Sequence, residues 1–362
     1  MERWNGPLED LAMRAFWHGK RVLVTGHTGF KGSWLTLWLS SLGAEVNGCA
    51  LEPDTDPALF EQLGLSRDID HAICDIRDAE ALARRLRRAD PDIILHLAAQ
   101  PLVRRSYREP LATWQTNVIG TVNLLDALRG HLKRCAVVIV TTDKVYENRE
   151  WPYGYRECDP LGGHDPYSAS KAAAELAVAT WRNAYFPAGS AVRIATARAG
   201  NVIGGGDWAE DRLMPDIVRA LAAGRPVPIR NPASVRPWQH VLESLSGYLL
   251  LAQRLYEEDN AAFASAFNFG PEPSDVCDVR AVMREALRHW PGEWRDASEP
   301  GAVHEAGLLG LSIEKARAVL GWAPRWGAAE AIEKTIGWYR AVHEGADARA
   351  LTLSQIEAYA NG

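Results

Sequence analysis

Residues 20–43 read KRVLVTGHTGFKGSWLTLWLSSLG, and the order of residue types in this stretch decides the fold. RVLVTG is a short β-branched run ended by Gly26, as in a buried parallel strand. GSWLTLWLSSLG sets Trp34, Trp38 and Leu42 at four-residue spacing and places Gly43 where a helix would stop. Between the two lie Gly26, Gly29 and Gly32, spaced G-x-x-G-x-x-G. Glycine permits a tight turn and lets a diphosphate approach the backbone. A helix starting near Phe30 directs its free N–H groups and positive dipole end at the same point. A glycine pattern alone is weak evidence, but here it joins a strand to a helix, the context such a turn requires. Gly26, Gly29, Phe30, Lys31 and Gly32 are therefore expected to cradle a dinucleotide.

Outward from this turn the alternation continues. AEVNGCAL (44–51) reads as strand, AEALARRLRR (79–88) as helix and PDIILHLA (91–98) as strand. TWQTNVIGTVNLLDALRG (113–130) then reads as helix and CAVVIVTT (135–142) as strand. Repeated β-α units of this length predict an α/β fold: a Rossmann-type, doubly wound parallel sheet with right-handed crossovers. Composition shifts at GNVIGGGDW (200–208) and AAGRPVPIRNPASVRPW (222–238). The expected organisation is a dinucleotide-binding domain over 19–199, with 200–362 mainly a smaller α/β substrate domain. Segments near 236–258 return to the first domain, and 1–18 form an N-terminal extension.

The chain has 362 residues, 47% hydrophobic and 24% charged, and a net charge of -6. That balance fits a globular protein and argues against a nucleic-acid or anionic-membrane surface. No signal peptide is recognisable, and no run approaches the roughly 18–20 apolar residues of a membrane helix. The five cysteines lack C-x-x-C spacing and read as reduced thiols, and the histidines show no ligand spacing. A cytoplasmic protein without a metal is expected.

An acid about 20 residues beyond the glycine turn commonly grips the adenosine ribose. Here Ala50 and Leu51 occupy that place, with Glu52 and Asp54 slightly late. No Arg or Lys follows directly to meet a 2'-phosphate, which favours NAD over NADP. Asp75 and Ile76, in CDIRD, are candidates for the adenine edge, although Asp75 also reads as a helix cap.

IVTTDKVYENREW (139–151) ends an apolar run by setting Asp143 beside Lys144, which in isolation is an ordinary surface pair. Downstream, DPYSASKAAAEL (165–176) begins with a capping Asp165 and Pro166 at the first helical position. Tyr167 and Lys171 then share one helix face at i and i+4. An ammonium beside a phenol is expected to lower the phenol's pKa from about 10 and make a base for a sugar hydroxyl. A diphosphate needs cations, and Arg230 and Arg236 are candidates, with Asn201 and Arg212 near them in sequence.

Together TGHTGFKG, HLAAQ, TTDK and YSASK resemble the extended short-chain dehydrogenase/reductase superfamily. VTGHTGFKGSW, TTDKVYENREW, ARAGNVIGGGDW, NPASVRPWQHVLE and FNFGP resemble, within it, the nucleotide-sugar 4,6-dehydratases that act on CDP-glucose. Dehydratases for other nucleotide sugars usually carry acid followed by acid where this chain has Asp143 and Lys144. The resemblance implies an NAD-dependent lyase. Tyr167 would deprotonate the glucose 4-hydroxyl, Lys144 would take the C5 proton, and Asp143 would protonate the departing 6-hydroxyl. Neighbours in an extended strand face opposite ways, so the chain must bend at Thr142–Lys144.

Thr142 would bond near the 4-oxygen, Lys171 would hold the nicotinamide ribose, and Asn117 would support that lysine. Leu97, Ala98 and Ala99 would pass beside the cofactor. Asn201, Arg212, Leu213, Arg230, Arg236, Asn268 and His304 (with Glu305) would bind substrate. The resemblance also implies a homodimer formed by the helices after Pro110 and Pro166. His96 reads as a satisfied strand histidine. The alternatives are a nucleotide-sugar 4-epimerase, which has no use for Asp143 and Lys144, and a silent NAD-binding sensor.

Overall fold

A computed structural model describes residues 6–298 and 308–362. Its centre is a seven-stranded sheet. The strands are β1 (Arg21–Thr25), β2 (Glu45–Ala50), β3 (Asp70–Ile73), β4 (Ile93–His96), β5 (Cys135–Val140) and β6 (Val192–Ala199), with an edge strand Ala266–Phe269. From edge to edge they run β3, β2, β1, β4, β5, β6 and Ala266–Phe269, and every neighbouring pair is parallel. The sheet is covered on both faces, which is why β5, CAVVIV, is buried at every position rather than alternating. The order reverses between β1 and β4, and ligands of such sheets bind outside the strand ends at this switch point.

The helix Phe30–Ser41 is buried from Gly32 to Leu39 because it lies between the sheet and the C-terminal half of the chain. Its Trp34 indole donates to the Gly205 carbonyl at 2.9 Å. The helix Val241–Glu257 packs on β4, β5 and β6. The boundary drawn at residue 200 needs one correction: Ala266–Phe269 lies beyond it yet pairs with β6 and completes the sheet. Four apolar-flanked residues, AFNF, carry no period that separates a buried strand from a buried helical turn. The remaining chain supplies the helices Leu213–Ala222, Val279–His289 and Ala328–His343. The last helix, Ala348–Asn361, returns to the Phe30–Ser41 helix, where Tyr359 meets Trp38 edge-on.

The C-terminal ends of four strands therefore open at one edge. β1 delivers the glycine turn, β4 delivers 97–99, β5 delivers 142–144 and β6 delivers 200–201.

Candidate active site

Gly26 has φ +75°, and a Cβ there would stand 2.7 Å from the Ala98 nitrogen and 3.0 Å from the Leu97 carbonyl carbon. Backbone sterics thus hold the turn against the exit of β4, with Ala98 N donating to Thr25 Oγ1 at 3.2 Å. A Cβ on Gly32 would fall 2.0 Å from the Gly26 carbonyl oxygen, so the helix can close onto the turn only with glycine there. Gly29, by contrast, would meet nothing nearer than 3.5 Å and leaves a cradle above the helix start. No acidic side chain lies in that helix's first turn, and Gly29 contributes no side-chain cap. The donor set is backbone N–H at a positive dipole end, which fits a dinucleotide diphosphate. Leu51, at the end of β2, is exposed, and Thr28 Oγ1 donates to its carbonyl at 2.9 Å.

At the end of β5 the strand gives way to a 3-10 turn, Asp143–Val145, capped by Thr142. The turn brings Lys144 Nζ to 3.4 Å from Asp143 Oδ1, with Asp143 buried and Lys144 partly open to solvent. The Thr142 hydroxyl donates to Asp143 Oδ1 at 2.9 Å and stands close enough to the Tyr167 phenol to draw its pKa down. Tyr167 and Lys171 stand on the helix Pro166–Ala184, which starts as the sequence implies: Asp165 caps Ser168 N at 2.9 Å and Pro166 opens the first turn. Lys171 Nζ donates to the Val140 carbonyl at 3.1 Å.

Burial pushes the Tyr167 phenol up to about 12, against the pull of the Thr142 hydroxyl and the Arg212 guanidinium. This corrects the expectation that Lys171 lowers it. Lys171 spends its contact on Val140, its charge answers to Glu175, and burial brings its own pKa down to about 8. Burial beside Arg212 and Lys171 likewise brings Lys31 down to about 7, although Asp143 opposes the shift. Lys31 Nζ donates to Tyr248 Oη at 3.2 Å, so it sits where the glycine turn meets the acid–amine corner.

The other expected residues divide. Asn117 is buried in the π-helical turn Gln115–Ile119 and clamps Gln100: Oδ1 accepts from Gln100 N at 2.8 Å, while Nδ2 donates to Gln100 O at 3.1 Å and Ser170 Oγ at 2.9 Å. Its amide is thus engaged directly by Gln100 and Ser170. Asp75 is gripped by Arg77 through two nitrogens, while Ile76 is buried against Gly120. His96 is satisfied between Thr25 Oγ1 and Thr121 Oγ1. Arg212 pairs with Asp207 at 3.2 Å just before the helix that Leu213 begins. Arg230 pairs with Asp211 and Asp216, and Arg236 donates to its neighbour's carbonyl, Val235 O. Asn201 follows β6 and is half-buried.

Asn268 requires a correction. It is buried with its amide fully engaged: Oδ1 accepts from Tyr146 Oη at 2.7 Å, and Nδ2 donates to Tyr155 O and Ser312 O. It is held as scaffold, with both amide hydrogens already given to backbone carbonyls. His304 and Glu305 lie outside the described residues.

Two residues have no counterpart among the sequence-based expectations. Glu175, one turn after Lys171, is a buried carboxylate whose only sequence signal is its place at i+4 in SKAAAEL. Gly200 lies against the acid: a Cβ there would be 3.1 Å from Asp143 Oδ2 and 3.2 Å from Pro237 Cγ. Its role is room rather than backbone freedom, which no local pattern reveals.

A doubly wound sheet with this glycine turn, a Tyr-x-x-x-Lys helix and a Thr-Asp-Lys strand end defines an extended short-chain dehydrogenase/reductase. The sequence profile of the GDP-mannose 4,6 dehydratase family matches residues 23–270, more than half of the 362, and the chain belongs to that family. A CDP-glucose 4,6-dehydratase of Salmonella typhimurium is 49% identical over 352 residues, covering 95% of this chain and 97% of its own. A dTDP-glucose 4,6-dehydratase of Streptomyces antibioticus is 31% identical, covering 88% of this chain and 92% of its own. The crystal structure of a dTDP-glucose 4,6-dehydratase from Streptomyces venezuelae with NAD and TYD bound aligns with TM-score 0.74 at 26% identity. That alignment covers 88% of this chain and 96% of that one.

Proposed function

We propose that the chain is a lyase that dehydrates CDP-glucose to CDP-4-dehydro-6-deoxyglucose and water with NAD as cofactor. The observation that carries this reading is the convergence of Tyr167 on the Asp143–Lys144 corner: Thr142 bonds Asp143, and both Thr142 and Asp143 act on the Tyr167 phenol. The 49% identity to the Salmonella enzyme supports the choice of base and sugar. NAD, when bound in the glycine turn, supplies the hydride acceptor at C4 and the hydride returned at C6. Tyr167, as the phenolate that the Arg212 guanidinium favours, takes the 4-hydroxyl proton and becomes the neutral phenol. The 4-ketone acidifies C5, and Lys144 takes that proton. Asp143 gives a proton to the 6-hydroxyl as the C6–O bond breaks and water leaves. Lys144 returns its proton to C5 on reduction, which leaves Tyr167 one proton richer and Asp143 one poorer. Thr142, bonded to Asp143 and beside Tyr167, offers the path that resets them.

The test is incubation with CDP-glucose, followed by the alkali-sensitive ultraviolet absorbance of a 4-keto-6-deoxy product and by mass spectrometry for loss of water. A galactose product of unchanged mass would establish the epimerase instead. Arg230 and Arg236 are assigned to the diphosphate, with Arg230 exchanging its carboxylate partners for phosphate oxygens.

Assembly as a homodimer is part of the same proposal. Leu111 is 71% exposed and Leu176 60%, with Trp114 and Ile119 also open, on the packed helical segments 110–127 and 166–184. A second copy burying this patch would form a four-helix bundle. Free thiols at Cys49, Cys74, Cys135, Cys158 and Cys277 suit a cytoplasmic enzyme, here one that supplies deoxysugars for surface polysaccharide.

A further inference from the structure

Tyr167, Lys171 and Glu175 recur every four residues on one helix, and each meets a different residue at the end of β5. Lys171 takes the Val140 carbonyl, Glu175 takes the Thr141 hydroxyl at 2.6 Å, and the Tyr167 phenol feels the Thr142 hydroxyl electrostatically. Tyr167 is the proposed base and Lys171 the expected contact of the nicotinamide ribose, whereas Glu175 has neither role. It is buried, accepts from Thr196 Oγ1 at 2.8 Å, and pairs with Arg198 of β6 through two bonds of 3.0 and 2.9 Å. Arg198 continues outward, donating to Tyr146 Oη at 2.9 Å and to the Glu157 carbonyl at 3.2 Å. Tyr146 in turn donates to Asn268. An unbroken polar chain therefore runs Thr141–Glu175–Arg198–Tyr146, and its two ends are the residues that bracket 142–145.

A buried ion pair is weak evidence for stability, since apolar replacements of equal volume are often neutral or better. Besides each other and Thr196 of β6, the pair's partners are Thr141 before the turn, Tyr146 after it and the Glu157 carbonyl. We propose that Glu175 and Arg198 are positioning residues for the elimination step, holding the Asp143–Lys144 corner at a fixed height against the Tyr167 helix. The inference rests on the reading that Asp143 and Lys144 carry out the elimination. It assigns no contact with substrate to either member of the ion pair. The pair acts through Thr141 on one side and Tyr146 on the other, so loss of either link lets the 3-10 turn shift while Tyr167 and Lys171 stay in place.

The test loosens each end separately with Thr141→Val and Tyr146→Phe, and the centre with Glu175→Gln and Arg198→Lys. In stopped-flow turnover of CDP-glucose the expected result is oxidation at C4 within about threefold of wild type. Elimination is slowed about tenfold, the scale of one lost hydrogen bond, so the NADH absorbance builds up. Amide hydrogen exchange over 142–146 should quicken by a similar factor, with Thr141→Ser restoring both signals. Elimination at the wild-type rate, or equal slowing of both steps in variants that still melt cooperatively, would overturn the proposal. Should the ion-pair variants fail to fold, Thr141→Val against Thr141→Ser still decides. If the wild-type protein does not turn over CDP-glucose, the functional reading fails, and unchanged exchange in Thr141→Val and Tyr146→Phe separately overturns the positioning role.

Discussion

Lys144 and Lys171 are two lysines of the same site with different surroundings, and the difference predicts different behaviour. Lys144 reaches partly into solvent beside Asp143, where it can exchange protons with a substrate carbon. Lys144→Ala is expected to lose at least about 100-fold in kcat, the range of general acid–base catalysis, and to stall with NADH absorbance after the first oxidation. Full turnover by that variant would remove Lys144 from the mechanism. Lys171 is buried, and its folded pKa of about 8 lies below the usual 10.5. The folded protein then binds fewer protons than the unfolded chain between these values. The penalty for its charge is complete below pH 8 and fades toward pH 10.5, by about 3 kcal/mol in all. Lys171→Met should therefore be inactive yet more stable than wild type at pH 7, with the gap closing by pH 10. Equal gaps in denaturant melts at both pH values would contradict this.

Among the elements, the glycine turn and the C-terminal helix are held by opposite means. Gly26 is fixed by φ +75° and by backbone 2.7 Å from the position of a Cβ, so Gly26→Ala must displace either the turn or 97–98. The expected outcome is loss of NAD binding in a fluorescence titration. The stability lost should be about 1–2 kcal/mol from backbone strain alone. The C-terminal helix is held by a side-chain network centred on Glu243, which accepts from Tyr359 Oη at 2.7 Å and from the Arg325 and Trp326 amides. Burial pushes Glu243 up to about 7 despite these donors. A carboxyl raised in the folded state favours folding fully below about pH 4.5, and that contribution is lost as pH rises through 7. Tyr359→Phe strips one donor from a buried carboxylate. It should cost about 1–3 kcal/mol in a thermal or denaturant melt, with the smaller cost at pH 5. A cost that does not depend on pH would place the damage elsewhere.

Over the whole molecule, the sheet edge gathers four strand ends into one site, while the opposite consequence of the same helices is an exposed apolar patch. If the proposed dimer forms through this patch, Leu111→Glu combined with Leu176→Glu is expected to give monomers by light scattering where wild type gives dimers, with the fold retained by circular dichroism. A wild-type monomer at micromolar concentration would end the dimer proposal. The sequence marks where the helices after Pro110 and Pro166 begin, and their use in assembly came only from the family resemblance. Which of their faces stays open depends on what packs on the other side. Glu175 and Asn268 show the limit of legibility from both directions. Glu175 has the local pattern of an ordinary helix residue and is a buried ion-pair partner, whereas Asn268 has the pattern of a ligand contact and is scaffold.

Local chemistry alone determined the β1 turn, the doubly wound alternation and the start of the Tyr167 helix, because glycine sterics, apolar period and capping act over a few neighbouring residues. Tertiary structure decided everything that depends on partners distant in the chain. It raised Tyr167 instead of lowering it, gave Asn117 to Gln100, brought Ala266–Phe269 into the sheet and joined Glu175 to Arg198. Burial and charge pairing are set by whatever the fold brings within a few ångströms, and that information lies in no single stretch of sequence.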